Sequence, residues 1–559
     1  MSKKKPSSGK SVSPPRIPVK PVRKTLFESA EASFRKNQWI IIAIAGAFSL
    51  LFGLLLFDVK ISEANDDSLY VEAGYNFAQN FRNYYTANAP LYPMLLSIPI
   101  RFAGINIILL KSFSLVFSLL HLLFLFMAFR KRLPMVVLVP VLFIIAVNSS
   151  FQYFASQTFT ESFFMMLQAL FIWAFIRVYE NDNKNETVPS NWKQWLLLGL
   201  ISFVTTLSKN LAIASLLVMF FYFAINLRFK QIIYTLLSFL IFKIPFDVIK
   251  GLIWKGTSQY GSQTTILLQK DPYDASKGQE DFAGFMDRFT GNINLYISKR
   301  LFQIFGFKSM DDTTVNTGLS FLFIVFFLIA VIAIWRSKNK LMQYLVIYAA
   351  AMMAITFIVL QIRWDQPRMI LVYVPFIMII LFYGLYHLLK DKGSFVQFLY
   401  FVFTGILLCS SLFSSIGKSV ARYPILKKNL KGDIYYGYTP DWQNYLKMSR
   451  FVGDSLPDNA LVACRKAPMS FVYGRGKKFY PVYTVLSTDA DSVLNIFRRD
   501  SVTHVLLASL RRDPKKIDGY IINTLHRMLI PVQQKYPQKL VLVKQIGETE
   551  PAYLYELKY

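Results

Sequence analysis

Cysteine and histidine are nearly absent from this chain of 559 residues, and their scarcity excludes several functions at once. Only Cys409 and Cys464 occur, one inside an apolar run and one far downstream, so no disulfide framework or thiolate metal cluster can form. The four histidines show no HxxxH or HExxH spacing, which argues against zinc-protease chemistry. A glycine-rich phosphate loop is missing as well. Tyr473-Gly-Arg-Gly476 has neither the spacing nor the helix that should follow it. Acidic residues are few, 33 against 62 lysines and arginines, so a cluster of carboxylates stands out.

Apolar residues are what the chain has in excess. They make up 54% of it and gather in long runs, the composition of a polytopic membrane protein. About eleven runs approach bilayer length, with cores at 40–57, 106–129, 135–149, 160–178, 194–207, 211–227, 231–249, 318–335, 341–360, 369–389 and 395–416. The runs 194–207 and 211–227 are split only by Ser208-Lys209-Asn210, and one broken helix is the alternative reading. Of the five alternate connections, four are short and basic, among them Arg130-Lys131-Arg132, Arg228-Phe229-Lys230 and Lys390-Asp391-Lys392. By the positive-inside rule these face the cytoplasm, which puts the N-terminus inside and the C-terminus outside.

The expected fold is a polytopic α-helical membrane protein with a C-terminal extracytoplasmic α/β domain. Residues 1–36 read as a disordered basic cytoplasmic tail, rich in lysine, proline and serine. Residues 37–417 read as the transmembrane module, with external loops at 58–105 and 250–316. In the first loop, Pro90 and Pro93 bound a short interfacial helix. The second is polar, and loops of that length are usually lids or site loops. Residues 418–559 alternate strands with helices and read as the α/β domain.

The stretch from Glu63 to Tyr75 holds the chemistry. It follows the first apolar run and carries Glu63, Asp66, Asp67 and Glu72. Adjacent ionised carboxylates repel, so Asp66-Asp67 needs water, a metal or a proton donor to relieve it. At a membrane surface such a pair suits a general base or a divalent metal ion. A solvated loop cap is the plainer use. Matching groups occur at the same depth. Glu161 opens a spanning run, Lys209 sits in an external turn, and Gln361-Ile-Arg-Trp-Asp-Gln-Pro-Arg368 places Arg363 and Arg368 about a tryptophan. Guanidinium groups bind phosphate oxygens bidentately, although arginine beside an interfacial tryptophan also serves as a plain anchor. Together these residues suggest a base or metal site for an acceptor hydroxyl beside a clamp for a leaving phosphate.

In these features the chain resembles the GT-C superfamily of membrane glycosyltransferases, which includes protein O-mannosyltransferases and lipid A aminoarabinose transferases. The resemblance lies in Asp66-Asp67-Ser-Leu-Tyr70 after the first run, Pro90-Leu-Tyr-Pro-Met-Leu-Leu-Ser97, Phe159-Thr-Glu161 and the Arg363 to Pro375 region. It implies a polyprenyl-phosphate sugar donor and an external-loop acid that deprotonates the acceptor or helps hold a divalent metal. Carried over by position, Asp66 is the lead acid/base. Asp67 stands where the commoner pair has glutamate, which leaves the second position's role open. The expected site is therefore Asp66, Asp67 and Glu161 for catalysis, Arg363, Arg368 and Lys209 for donor phosphate, and Asp66 with Asp67 for any metal. The expected reaction is hexosyl or pentosyl transfer to a glycan, lipid or protein acceptor at a bacterial inner membrane, with lipids and no nucleic acid as partners. Two alternatives stand: a flippase for a lipid-linked saccharide, and an inactive scaffold of the same fold. A flippase would want charges at mid-membrane and inverted repeats; the runs are nearly free of central acids and show no repeat symmetry.

Overall fold

The computed structural model describes residues 25–63, 66–85, 90–181, 191–254, 263–272, 277–512 and 521–559. Most of the proposed tail, and parts of both expected external loops, lie outside the described residues. The chain opens with α1 (Leu26–Lys36), α2 (Gln38–Leu55), α3 (Asp66–Gln79), α4 (Leu91–Ala103) and α5 (Ile107–Phe129). It continues through α6 (Met135–Val147), α7 (Ser149–Ala155), α8 (Glu161–Asn181), α9 (Trp192–Ser208), α10 (Ile213–Ile225) and α11 (Phe229–Ile253). Then come α12 (Gln263–Leu268), α13 (Phe282–Leu295), α14 (Leu301–Ile304), α15 (Thr317–Arg336), α16 (Lys340–Val359), α17 (Arg368–Leu371), α18 (Val374–Leu389) and α19 (Ser394–Leu430).

Seven of these are long and apolar enough to cross a membrane: α2, α5, α8, α11, α15, α16 and α19. The pair α6 and α7, bent by 59°, makes an eighth if it counts as one span. The remaining runs form the shorter helices α9, α10 and α18. Helices suit these runs because a bilayer offers the backbone no other hydrogen-bond partner. Asparagines begin three of them: the side chains of Asn106, Asn316 and Asn339 accept from the N–H groups of Leu109, Leu319 and Met342. Two crossings are tight. A Cβ on Gly199 of α9 would stand 2.4 Å from the Ser238 backbone of α11, and one on Gly384 of α18 would stand 2.6 Å from Ala330 Cα of α15.

Hydrogen bonds define two ends of the bundle. At one, Arg35 donates to the carbonyls of Arg130 and Leu133, Arg132 pairs with Glu180, and Tyr222 Oη donates to Lys340 O at 2.7 Å. At the other, Lys111 Nζ donates to Asp58 O and Gln157 Oε1, and Trp254 Nε1 donates to Phe81 O. The helices α9 and α10 are separate and run between these ends. Asn181 meets Gln194 at the start of α9, Lys209 meets Glu161 beyond its end, and α10 brings Tyr222 back to Lys340.

Four expectations need correction. Residues 25–36 belong to no disordered tail: Thr25 and Glu28 form a reciprocal capping box, and Phe27 of α1 is buried among Tyr386, Tyr400 and Phe401. Pro90 bounds the interfacial helix as its N-cap, but Pro93 does not, since α4 runs through Pro93 and Pro99 to Gly104, whose positive φ of 62° ends it. The polar loop 250–316 contains packed helix. Asn292 of α13 is buried and donates to the carbonyls of Phe357 in α16 and Leu360 just beyond its end. The long α19 continues unbroken through residue 417, where the transmembrane module was expected to end.

Beyond α19 come α20 (Pro440–Ser455), β1 (Val462–Cys464), α21 (Ala467–Tyr473), β2 (Phe479–Pro481), α22 (Ala490–Arg499), β3 (His504–Ala508), α23 (Thr524–Lys535), β4 (Leu540–Ile546) and β5 (Ala552–Leu557). The five strands form one sheet of order β2-β1-β3-β5-β4, parallel across β2, β1 and β3 and antiparallel across β3, β5 and β4. Its core is continuous with the bundle. Val71 of α3 and Tyr92 and Leu96 of α4 share one buried cluster with Trp442, Met448 and Val452 of α20 and with Cys464. In a Cys409→Ser background, thiol labelling of intact membranes should reach Asn80→Cys and Thr488→Cys from the same side and Lys131→Cys only from the other. Labelling of all three from one side would contradict the two-ended bundle.

Candidate active site

The acidic stretch folds against the end of the bundle that holds Lys111. After α2 the chain turns through Asp58, Lys60 and Ser62 to begin α3 at Asp66, so both aspartates occupy a first helical turn, where the helix dipole favours carboxylates. Their side chains part there. Asp67 is 0% exposed, and its two oxygens accept from the N–H groups of Ser62 (2.7 Å) and Ser68 (2.9 Å). The Asp66 side chain is 44% exposed and forms an ion pair with Arg368.

Arg368 opens α17, and its side chain is only 12% exposed. Its Nε donates to Gln366 Oε1 at 2.6 Å, its guanidinium lies 4.8 Å over the Phe159 ring, and Nη1 is 4.0 Å from Glu161 Oε1. Burial opposes the guanidinium's charge, but Asp66 and Glu161 outweigh it and hold its pKa above the ordinary arginine value. Glu161 opens α8, is nearly fully buried, and receives Lys209 Nζ at 3.2 Å. The turn that carries Arg368 is itself anchored: Lys299 and Arg300, in a π-helical segment after α13, both pair with Asp365.

The structure thus brings together Asp66, Glu161, Lys209 and Arg368. Asp67 adjoins them but faces inward. Arg363 lies elsewhere: its side chain is 62% exposed and 2.9 Å from Asp271, so it ties down the loop before α13. The 3-10 turn Ile362–Trp364 and Pro367 separate it from Arg368.

Beside this cluster a cavity of about 540 Å³ opens between the end of α2, the bent segment α7, the 366–368 turn and the second half of α19. Arg368, Lys418 and Arg422 line it with Ser149, Ser150 and Tyr153, and Leu56, Phe154, Phe159 and Ile425 supply its apolar wall. Its volume and mixed lining suit a small ligand with an anionic group and an apolar part. Lys418 donates to Ser149 Oγ at 2.9 Å, and Arg422 pairs with Asp58. Burial would raise the Asp58 pKa, but Lys111 and Arg422 outweigh it and hold the carboxyl below the usual range. Sequence reasoning did not find Asp58, Lys418 or Arg422. The only local signal was an acid immediately after the first apolar run.

The expected metal pair does not fit a shared ion. Asp67 spends both oxygens on backbone N–H groups, and Asp66 reaches toward the Arg368 guanidinium that stands between it and Glu161. Among the described residues no three histidine, cysteine or acidic side chains converge as a metal site requires.

No protein-family model and no curated protein sequence matches this chain. Solved structures do match in fold. An oligosaccharyltransferase from Archaeoglobus fulgidus, in complex with zinc and sulfate, aligns at a TM-score of 0.57 and 12% identity over 84% of this chain and 68% of its own. AglB of the same organism, in complex with an inhibitory peptide and a dolichol-phosphate, aligns at 0.54 and 12% identity over 93% of this chain and 74% of its own. ArnT from Cupriavidus metallidurans bound to undecaprenyl phosphate aligns at 0.56 and 9% identity, covering 93% of this chain and 98% of its own. The chain shares its fold with these three solved structures. ArnT is matched over nearly its whole length.

Burial, opposed by Lys111 and by the Ser62 and Ser68 N–H groups, pushes the Asp67 carboxyl up to about 6 from 3.8. A raised carboxyl pKa stabilises the fold at low pH and loses that contribution as pH rises through the folded value. Thermal unfolding in detergent should therefore show wild type losing up to about 3 kcal/mol relative to Asp67→Asn between pH 4 and pH 7. A gap that does not change with pH would contradict this.

Proposed function

We propose that the protein is an integral membrane glycosyltransferase that moves a hexosyl or pentosyl group from a polyprenyl-phosphate donor to an acceptor on the extracytoplasmic side. The observation that carries this reading is the solvent-facing carboxylate of Asp66, held by Arg368 at the edge of a cavity lined by Arg368, Lys418 and Arg422. Dolichol phosphate and undecaprenyl phosphate in the AglB and ArnT structures support a donor of that type.

In this reading all eleven apolar runs cross the bilayer of a bacterial inner membrane, with the basic loops inside and the site and α/β domain outside. The polyprenyl tail stays in lipid while its phosphate enters the cavity. Asp66 takes the proton of the acceptor hydroxyl as its oxygen bonds to the anomeric carbon. The bond from that carbon to the phosphate oxygen breaks, and the charge left on the phosphate falls to Arg368, Lys418 and Arg422. Glu161 and Lys209 hold Arg368 from behind. Asp67 shapes the turn that presents Asp66 and does not touch the reacting atoms.

The flippase reading finds little support in the placement of the remaining charges. Lys111 is bonded to Asp58 O and Gln157 Oε1 at the outer end, and Lys243 pairs with Asp247 one turn away on α11.

Transfer by purified protein from a polyprenyl-phosphate sugar is the test. Asp66→Asn should lower turnover roughly 10²–10⁴-fold, the usual share of general acid–base catalysis, with donor binding retained. Arg368→Ala and Arg422→Ala should each weaken polyprenyl-phosphate binding by about 1.5–3 kcal/mol, whereas Arg363→Ala should leave it unchanged. Wild-type turnover in Asp66→Asn would overturn the reading.

A further inference from the structure

The exterior domain places a cation against the acidic turn. Strand β1 ends at Cys464, and the next two residues, Arg465 and Lys466, lead into α21. That helix packs on α3, with the Phe471 and Tyr75 rings 5.2 Å apart. Lys466 Nζ donates to the Glu63 carbonyl at 2.6 Å and lies 5.6 Å from the Trp442 ring, while the Lys466 backbone N–H donates to Tyr445 Oη. Its other two ammonium N–H groups meet no acceptor among the described residues. The order β2-β1-β3 adds a topological reason. The chain leaves β1 and β3 toward opposite edges of the sheet, and the crevice at the carboxyl ends of two such strands is where open α/β sheets bind ligands. Here the first residues beyond β1 face the membrane module's acidic turn.

We propose that Lys466 is a positioning residue of the transfer site: it holds the Glu63 carbonyl ahead of α3 and adds a second positive charge, beside that of Arg368, to the field at Asp66. The proposal rests on the reading of Asp66 as the base. It makes the exterior domain part of the reaction apparatus, since the residue that fixes the turn lies on that domain. The groups around the ammonium are Glu63, Asp66 and Asp67 from the turn and α3, Arg465 beside it, and Trp442 from α20. Burial and Arg465 draw the Lys466 ammonium down to about 8, in spite of the three carboxylates. The charge is therefore present below that pH and lost above it.

The experiment compares full-length wild type, Lys466→Arg and Lys466→Met for transfer rate between pH 6 and pH 9.5 and for binding of polyprenyl phosphate. Wild-type turnover should fall as pH rises through about 8. Lys466→Arg, whose guanidinium keeps its proton, should restore transfer and move that fall upward by at least one pH unit. Lys466→Met should lose about 10- to 100-fold, the range expected for a lost charged hydrogen bond, with no step near pH 8. Phosphate binding should be equal in all three and weakened in Arg368→Ala. Equal rates in Lys466→Met and wild type, or superimposable alkaline limbs in Lys466→Arg and wild type, overturn the proposal. Should Lys466→Met not fold, the alkaline limb of Lys466→Arg decides alone. An active Asp66→Asn overturns the base reading instead, whatever Lys466 does.

Discussion

A guanidinium taken out of water governs one end of this protein. Removing such a charge from solvent costs several kcal/mol unless anions and hydrogen-bond acceptors surround it. Arg368 meets that demand with Asp66, Glu161, Gln366 and the face of Phe159. These partners come from three separate stretches of chain, so the one cation fixes how α3, the start of α8 and the 361–368 turn sit relative to one another. The arrangement is also unequal. Glu161 is sealed in and shared with Lys209, while Asp66 keeps an open side toward solvent. One carboxylate is bound to hold the arginine, and the other stays accessible to a substrate.

The same inequality separates the two neighbouring aspartates. Successive residues of a helical turn point about 100° apart, so Asp66 and Asp67 cannot aim at one point. Asp67 faces the bundle and takes the backbone N–H of Ser62, which closes the turn that precedes α3. The paired acids of the sequence are thus one group that faces a cavity's edge and one that builds the loop beneath it.

How much of this was legible in the sequence follows from the range of the forces. Spanning runs were legible because a bilayer imposes its thickness on each helix separately, and every run appears as helix. Asp66, Glu161, Lys209 and Arg368 were legible as polar residues at the ends of apolar runs. The ion pair of Asp58 with Arg422 was not, since nothing local to either residue records a partner at the far end of the chain. Arg363 and Arg368 looked alike in sequence and differ because a 3-10 turn and a proline send them to different neighbours. The helix α13 was hidden because its buried face includes Arg288 and Asn292, polar residues that read as loop. The helix α1 was overlooked although Thr25 and Glu28 stood at capping-box spacing, because the lysine- and proline-rich segment before it dominated the composition.

The cluster that joins α3 and α4 to the exterior domain has a consequence for how the protein is made. Val71, Tyr92 and Leu96 are synthesised early, and the side chains that cover them, from Trp442 onward, are synthesised almost last. Domains ordinarily fold in the order in which they emerge. Here an apolar surface beside the bundle must wait, partly uncovered, until the C-terminal segment has been made. A ribosome that stalls late, or a chain truncated before α20, leaves part of that surface bare, which makes the unfinished protein a natural client for chaperones and proteases.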